Sequence, residues 1–300
     1  MTRHILITGA HGFLGQYVLE ELYPSTQDVF FCLSRTNPFG SHEHKNFHWI
    51  PCDLTEGIPL SPLPERIDGI LHLAQSNHYR SFPKRANDIF DVNVGSTQRL
   101  LDLAYKRHTS HFMFTSTGSI YEKTGTWGEE NVVSPKGYYP LTKYLCEEMI
   151  KAYQDHFSIC ILRLFHLFGP RQQQDRLIPS LIMRIENEEV IELRGGINGP
   201  LVCPTFIQDT ARLLKECISH QWNGIYNVGS KEVISLRALC NLIGDILKKN
   251  VSFHVSSLPY PSVLPHLEKI SKIIDLSSFT PLEEGLRAMI SRGHHDQKVS

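Results

Sequence analysis

An α/β fold organised as a doubly wound parallel sheet, with a smaller α/β lobe attached, is predicted by three observations. Short, continuously apolar runs alternate with longer runs of helical periodicity along the first half of the chain. A glycine-spaced turn, Gly9, Gly12 and Gly15, joins the first apolar run to the first helical one. Beyond residue 165 the alternation loosens into glycine- and proline-punctuated segments. Strands without polar alternation are covered on both faces, and helices between them act as right-handed crossovers. A parallel sheet between two helical layers follows.

Residues 5–7 form the first buried strand, and Phe13, Leu14, Val18, Leu19 and Leu22 recur at helical spacing after the turn. Strands follow at 29–33 (VFFCL), 47–50 and 69–74 (GILHLA), then a helix over 86–108. A fifth strand at 111–115, a helix over 140–156 and a sixth strand at 159–165 complete the regular half. Further on the pattern predicts helices over 177–186, 209–220, 235–247 (capped by Ser235) and 281–290. A turn at 194–199, a strand at 225–228 and a proline-rich loop at 257–265 separate them. The expected division is a first domain over 1–165 with 204–220 packed on it, and a smaller lobe made of 166–203 and 221–300. Ligands of such sheets bind outside the carboxyl ends of the strands, here between the two lobes.

Composition excludes several function classes. The formal net charge of −1 leaves no electrostatic footprint for nucleic acid or an anionic membrane. No apolar run approaches the roughly 20 residues that span a bilayer. The chain enters a strand within four residues of its start, which leaves no room for a signal peptide, so a cytoplasmic location is expected. The seven cysteines (32, 52, 146, 160, 203, 217, 240) form no CxxC pair and read as reduced core residues. His42, His44 and His48 read as a solvated loop and not as a metal cluster, and no metal is expected.

The glycine turn has the physics of a phosphate cradle. Gly9 permits the tight turn, Gly12 lets the backbone approach a pyrophosphate, and Gly15 lets helix and strand pack closely. The pyrophosphate then rests on the free N–H groups at Phe13 and Leu14 and on the positive end of the helix dipole. A plain tight turn is the alternative. Strand before and helix after favour the Rossmann-type reading. The residue closing the second strand then meets the adenosine ribose. The run is Leu33-Ser34-Arg35-Thr36, with no carboxylate, and the Arg35 guanidinium suits a 2′-phosphate. That favours NADP over NAD; an ordinary surface arginine is the alternative. Asp53 either receives the adenine amino group or caps a turn.

Two constellations carry chemistry. One is Thr115-Ser116-Thr117, at the end of the fifth strand; the other is Tyr139-Pro140-Leu141-Thr142-Lys143. Pro140 presets a helix start with Tyr139 extended before it, and Lys143 one turn in faces the same cleft. A tyrosine with an ordinary pKa of about 10 transfers protons poorly near neutrality, and a neighbouring ammonium and an oxidised nicotinamide both favour its phenolate. The Thr117 hydroxyl would hold the substrate oxygen against Tyr139. A helix surface pair is the plain reading of Tyr-x-x-x-Lys alone.

With these residues in view, the chain resembles the extended short-chain dehydrogenases/reductases of the NAD-dependent epimerase/dehydratase family, which act mostly on nucleotide sugars. The matching motifs are TGAHGFLG (8–15), CDL (52–54), LHLAQ (71–75), VNVGST (92–97), FTSTGSIY (114–121), YPLTK (139–143), LRLFHLFGP (162–170) and YNVGS (226–230). The resemblance implies a catalytic set of Thr117, Tyr139 and Lys143, with Lys143 also holding the nicotinamide ribose. It implies that Leu54, Leu73, Ala74, Gln75, Asn93 and Thr115 border the cofactor, and that Phe165 and His166 border its nicotinamide. It places Ser116, Thr117, Ser119, His166, Arg171 and Arg176 on the substrate side. It also implies a homodimer formed through the helices over 86–108 and 140–156.

Departures narrow the activity. The family's 4,6-dehydratases follow the hydroxyl residue with an Asp-Glu pair, where this chain has Gly118 and Ser119. The fucose-type synthases carry a cysteine at the position of Ser119 and a histidine before the Ile-Pro pair, where this chain has Arg176-Leu177 before Ile178-Pro179. Two phosphate-binding positions are altered: the usual asparagine is His166, and the usual arginine before the Asp209 region is absent from Leu201–Pro204. Arg171 and Arg176 compensate or are plain loop surface, and His166 donates to a ligand or simply packs. The expected function is NAD(P)-dependent hydride transfer at a secondary alcohol or ketone of a nucleotide sugar, as a 4-keto reductase or 4-epimerase, with Arg35 tilting toward the reductase. The alternatives are a reductase of a small non-nucleotide carbonyl compound and a non-catalytic NADP-binding sensor.

Overall fold

The structure is a computed structural model that describes residues 2–23, 27–40 and 45–296; His42 and His44 lie outside the described residues. Seven strands form the main sheet: β1 (His4–Thr8), β2 (Val29–Ser34), β3 (Phe47–Pro51), β4 (Gly69–His72), β5 (His111–Thr117), β6 (Ser158–Leu164) and β7 (Gly224–Val228). Their order across the sheet is β7-β6-β5-β4-β1-β2-β3. β1 runs parallel to both neighbours, Ile5 facing Phe30 on one side and Gly69 on the other. The β2–β3 and β4–β5 pairs are parallel as well. The chain winds outward in one direction from β1 and in the other from β4, so the switch point of this doubly wound sheet lies where Thr8 and His72 end those two strands.

The helices that matter for the site are α1 (Phe13–Leu22), α2 (Ala86–Phe90), α3 (Ser96–Lys106) and α4 (Tyr138–Lys151). The single helix expected over 86–108 is interrupted by a π-helical turn at Asp91–Gly95 between α2 and α3. Apolar periodicity does not register one extra residue per turn, so the sequence pattern is silent there. α4 begins at Tyr138, not at Pro140. Gly137, at φ +93°, turns the chain into the helix. Pro140 therefore sits third in a first turn whose N–H groups have no intrahelical partner, and its missing donor is not felt. Tyr139 is helical instead of extended, which places it one turn before Lys143 on the same helix.

The chain divides into two compact units, one of Met1–Ile120, Val133–Arg163 and Ala211–Tyr226, the other of Tyr121–Val132, Leu164–Thr210 and Asn227–Ser300. The first has a core of sheet residues such as Leu6, Leu33, Ile70, Phe112 and Ile161, closed by Leu100, Leu103 and Ala104 of α3. The second packs Phe168, Phe206, Leu193 and helices α5 (Leu177–Glu186), α7 (Leu236–Leu247) and α8 (Leu282–Asp296) into its own core; α6 (Ile207–His220) runs across the division. Ser235 caps α7 by accepting from the Ala238 amide at 3.2 Å. Strand pairs of two or three residues, such as Gly125–Trp127 with Val263–Pro265, were too short to show a period in the sequence. That pair, and the Tyr121 hydroxyl donating to Asn227 Oδ1 at 3.1 Å, bring residues 121–132 into the second unit. All seven cysteines are buried free thiols. Among the described residues no helix is long and apolar enough to cross a membrane.

Candidate active site

The turn after β1 fits a pyrophosphate-bearing ligand. Gly9 holds φ +71°, and a Cβ there would stand 2.8 Å from the Ala74 amide nitrogen. A Cβ at Gly15 would fall 2.2 Å from the Gly9 carbonyl oxygen, so this glycine lets α1 close onto the turn itself. The Gly12 amide donates to Gly9 O at 2.9 Å, and no side chain caps α1. Phe13 and Leu14 open the helix half-buried.

At the ends of the neighbouring strands, Arg35 is exposed just past β2. Asp53 Oδ1 accepts from the Thr55 amide at 2.9 Å and the Thr55 hydroxyl at 2.7 Å, so Asp53 caps its own turn. Those bonds, helped by the Arg35 charge, hold its carboxyl below the usual carboxylate range. Leu54 is buried and its carbonyl accepts from Arg99 at 3.0 Å.

The predicted chemical groups gather over the ends of β4 and β5. The Tyr139 hydroxyl donates to Gln75 Oε1 at 3.0 Å, and the Tyr79 ring stands edge-on 5.0 Å away. Lys143 is 2 % exposed, with Nζ 4.1 Å above the Phe114 ring. Burial pulls its ammonium down to about 8, against the opposing influence of Cys146 and Glu147. Thr117, at the last position of β5, accepts the exposed Ser119's amide at 3.1 Å. The Thr115 hydroxyl donates to His72 O at 3.3 Å, and Leu73 and Ala74 are half-buried beside Gln75. Asn93, held by the π turn, turns its amide inward: Oδ1 accepts from Ser76 N and Nδ2 donates to Thr142 Oγ1, both at 2.9 Å. Thr142 in turn donates to the Tyr139 carbonyl at 2.8 Å. Ser116 departs from its expected place on the substrate side, because its side chain enters the interior and donates to Glu147.

Phe165, His166, Arg171 and Arg176 belong to the second unit. Phe165 is buried. His166 is exposed at φ +39°, its Nδ1 accepting from Cys203 N at 3.5 Å. Arg171 is exposed at φ +66°, and Arg176 is the N-cap of α5, donating to Gln173 Oε1 at 3.4 Å.

Two features escaped the sequence reading. Glu147 and Arg163 form a fully buried ion pair at 2.7 Å, with Arg163 1 % exposed one residue before the end of β6. An arginine inside the apolar run ICILRLF was the signal for it. The other is His72, fully buried at the switch point. Burial holds its imidazole down to about 3, with the Lys143 charge adding to the effect, so it is neutral in the folded protein at every ordinary pH. The unfolded chain takes up this proton near pH 6.5 while the folded one does not until about 3, so stability falls as pH falls through 6.5. At pH 5 this single group is expected to cost on the order of 2 kcal/mol relative to neutrality. Urea unfolding at pH 7 and 5 checks it: His72→Gln should lessen the acid loss, and an unchanged loss contradicts it.

Known proteins resemble the chain in sequence and in fold. A family model describing the NAD dependent epimerase/dehydratase family matches residues 5–229. The uncharacterized UDP-glucose epimerase YtcB of Bacillus subtilis is 28% identical, the alignment covering 94% of this chain and 95% of the relative. The low-salt glycan biosynthesis protein Agl12 of Haloferax volcanii is 27% identical over 75% of this chain and 76% of its own. Among solved structures, UDP-glucuronic acid 4-epimerase from Bacillus cereus, in complex with UDP-glucuronic acid and NAD, superposes with a TM-score of 0.86 at 24% identity, covering 99% of this chain and 100% of that one. The family match spans the glycine turn, the β5 hydroxyls and the Tyr139–Lys143 helix alike, and the chain belongs to the NAD-dependent epimerase/dehydratase family.

Proposed function

We propose that the protein is a nicotinamide-dinucleotide-dependent epimerase or reductase acting at the 4-position of a nucleotide sugar. The observation that carries this reading is Tyr139, one helical turn before a buried Lys143, beside the end of a strand bearing Thr117, in the same unit as an uncapped glycine cradle. A nicotinamide bound at this cradle would supply the hydride chemistry at the carbinol carbon. The chain's own part is proton handling and positioning. Tyr139 takes the hydroxyl proton of the substrate carbinol or returns it to the ketone oxygen. Thr117 orients that oxygen, and Lys143 favours the phenolate by its charge. The first-turn N–H groups of α1 hold the pyrophosphate. No acidic pair follows Thr117 in the chain, which speaks against elimination of water, since Gly118 and Ser119 carry no titratable group. Phe90, Leu141 and Leu145, exposed on α2 and α4, support a homodimer built on those helices.

Arg35 supports NADP, whereas the Bacillus cereus 4-epimerase is described with NAD. Binding of both cofactors to wild type and to Arg35→Asp decides: NADP affinity in the variant should fall at least tenfold, the worth of roughly one charge-assisted contact. An unchanged ratio shows that Arg35 does not meet a 2′-phosphate. For the substrate, a thermal scan with UDP-, GDP- and dTDP-sugars in the presence of cofactor should raise Tm by several degrees for one class, since a ligand at about a hundred times its Kd stabilises by roughly 2.7 kcal/mol. If no sugar nucleotide shifts Tm, the small-carbonyl alternative takes its place.

A further inference from the structure

His72 stands at the switch point with both ring nitrogens engaged, and the donors on either side fix its tautomer. Thr97 gives its hydroxyl proton to the Asn93 carbonyl at 2.6 Å, so the 3.1 Å contact between Thr97 Oγ1 and His72 Nε2 requires the proton to be on Nε2. The neutral ring then leaves Nδ1 bare, and Thr8 donates to it at 2.7 Å while accepting from the Ala74 amide at 3.3 Å. The opposite tautomer would set a bare Nε2 against the lone pairs of Thr97 Oγ1 inside a fully buried site. One ordered chain therefore runs from Ala74 through Thr8, His72 and Thr97 to the π turn.

Its two ends serve different parts of the candidate site. Thr8 immediately precedes Gly9, whose backbone lies against Ala74, so the Thr8 side chain sets the glycine turn against the end of β4. Thr97 lies on α3, 3.3 Å from Cys146 Sγ on α4, the helix that bears Tyr139 and Lys143. The His72 ring also packs 5.4 Å from Phe114, the ring beneath the Lys143 ammonium.

We infer that His72 is a positioning residue with two separable arms, its Nδ1 arm seating the dinucleotide turn through Thr8 and its Nε2 arm seating the Tyr139–Lys143 helix through Thr97. The inference rests on the dinucleotide reading proposed above. It makes the neutral imidazole a spacer between cofactor and proton-transfer groups that touches neither.

Two substitutions separate the arms. The carbonyl oxygen of His72→Asn stands where Nδ1 stood and keeps the Thr8 bond; the amide nitrogen of His72→Gln reaches to Nε2 and keeps the Thr97 bond. The probes are NADH and NADPH, titrated by fluorescence, together with amide hydrogen exchange over 138–151. His72→Asn should keep dinucleotide affinity within about threefold while exchange in α4 around Cys146 quickens about tenfold, the loss of roughly one hydrogen bond. His72→Gln should weaken dinucleotide binding about tenfold and leave exchange as in wild type. A merely structural role moves both readouts together in both variants, and that outcome, or no movement in either, overturns the inference. If either variant fails to fold, Thr8→Val and Thr97→Val carry the same test, the first expected to lower affinity alone and the second to quicken exchange alone. Wild-type protein that binds neither dinucleotide is a different failure, which removes the proposed function and with it the Nδ1 arm.

Discussion

Replacing Tyr139 by phenylalanine is expected to lower turnover roughly a thousandfold, the usual worth of a positioned general acid or base, while dinucleotide affinity stays within about twofold. The ring remains, so its edge-on contact with Tyr79 and its place in the first turn of α4 are kept. What disappears is the hydroxyl that now donates to Gln75. The measurement pairs steady-state rates on the sugar nucleotide that stabilises the protein with cofactor titration of the same sample. A variant within tenfold of the wild-type rate removes Tyr139 from the proton path. Lost affinity at a preserved rate would assign the hydroxyl to the cofactor instead.

The largest expected effect on stability comes from the interior behind Lys143. Arg163→Met takes from the Glu147 carboxylate its hydrogen-bonded cation and leaves it the Ser116 hydroxyl, in a site closed to water. Leaving one buried charge without its partner costs about 3–5 kcal/mol, roughly a fifth or more of the stability of a typical domain. Urea unfolding should show this as a lowered midpoint at an unchanged slope. The double change Glu147→Leu with Arg163→Met should recover most of the loss, because a buried ion pair and an apolar pair of similar volume are nearly equivalent. A cost below about 1 kcal/mol for the single change would show that Glu147 is not left as a buried unpaired charge and would overturn this expectation. Because Glu147 lies one turn beyond Lys143, even a folded single variant is expected to lose rate through displacement of α4.

Most of the sheet was legible because buried parallel strands are written as continuous apolar runs, and VFFCL, GILHLA and ICILRLF each became a strand of the seven. The glycine turn was legible because three positions without side chains, between a strand and a helix, have few other uses. The start of α4 was misread for a local reason: proline presets a first helical position but is equally at ease at the third, and only the φ of Gly137 decides between them. The strand pairs of the second unit are two or three residues long and exist by tertiary pairing, so they leave no periodic trace. The hydroxyl of Ser116 illustrates the same limit within the site. Its neighbours Thr115 and Thr117 sit in the same strand, and alternation along β5 sends Ser116 to the opposite face, toward Glu147. Residue type announced a polar cluster; the pleat chose which member faces inward. His72 was hidden for a further reason, since a histidine in an apolar strand looks the same in sequence whether it packs idly or joins two elements.

The π turn at Asp91–Gly95 bears on how this protein can change over time. A plain α-helix is the lower-energy local form, so the wider turn persists only while the contacts on both sides of it are worth keeping. Converting it to a regular α-helix at unchanged chain length would swing everything beyond it by about 100°. Leu100, Leu103 and Ala104 would leave the core, and Thr97 would turn away from the switch point. Losing one residue from the turn is the change that lets a regular helix take its place with α3 still in phase, because the turn accommodates one residue more than an α-helix does. Descendants of this chain should accordingly keep the wider turn while the length of that stretch is unchanged, and lose it only together with one residue.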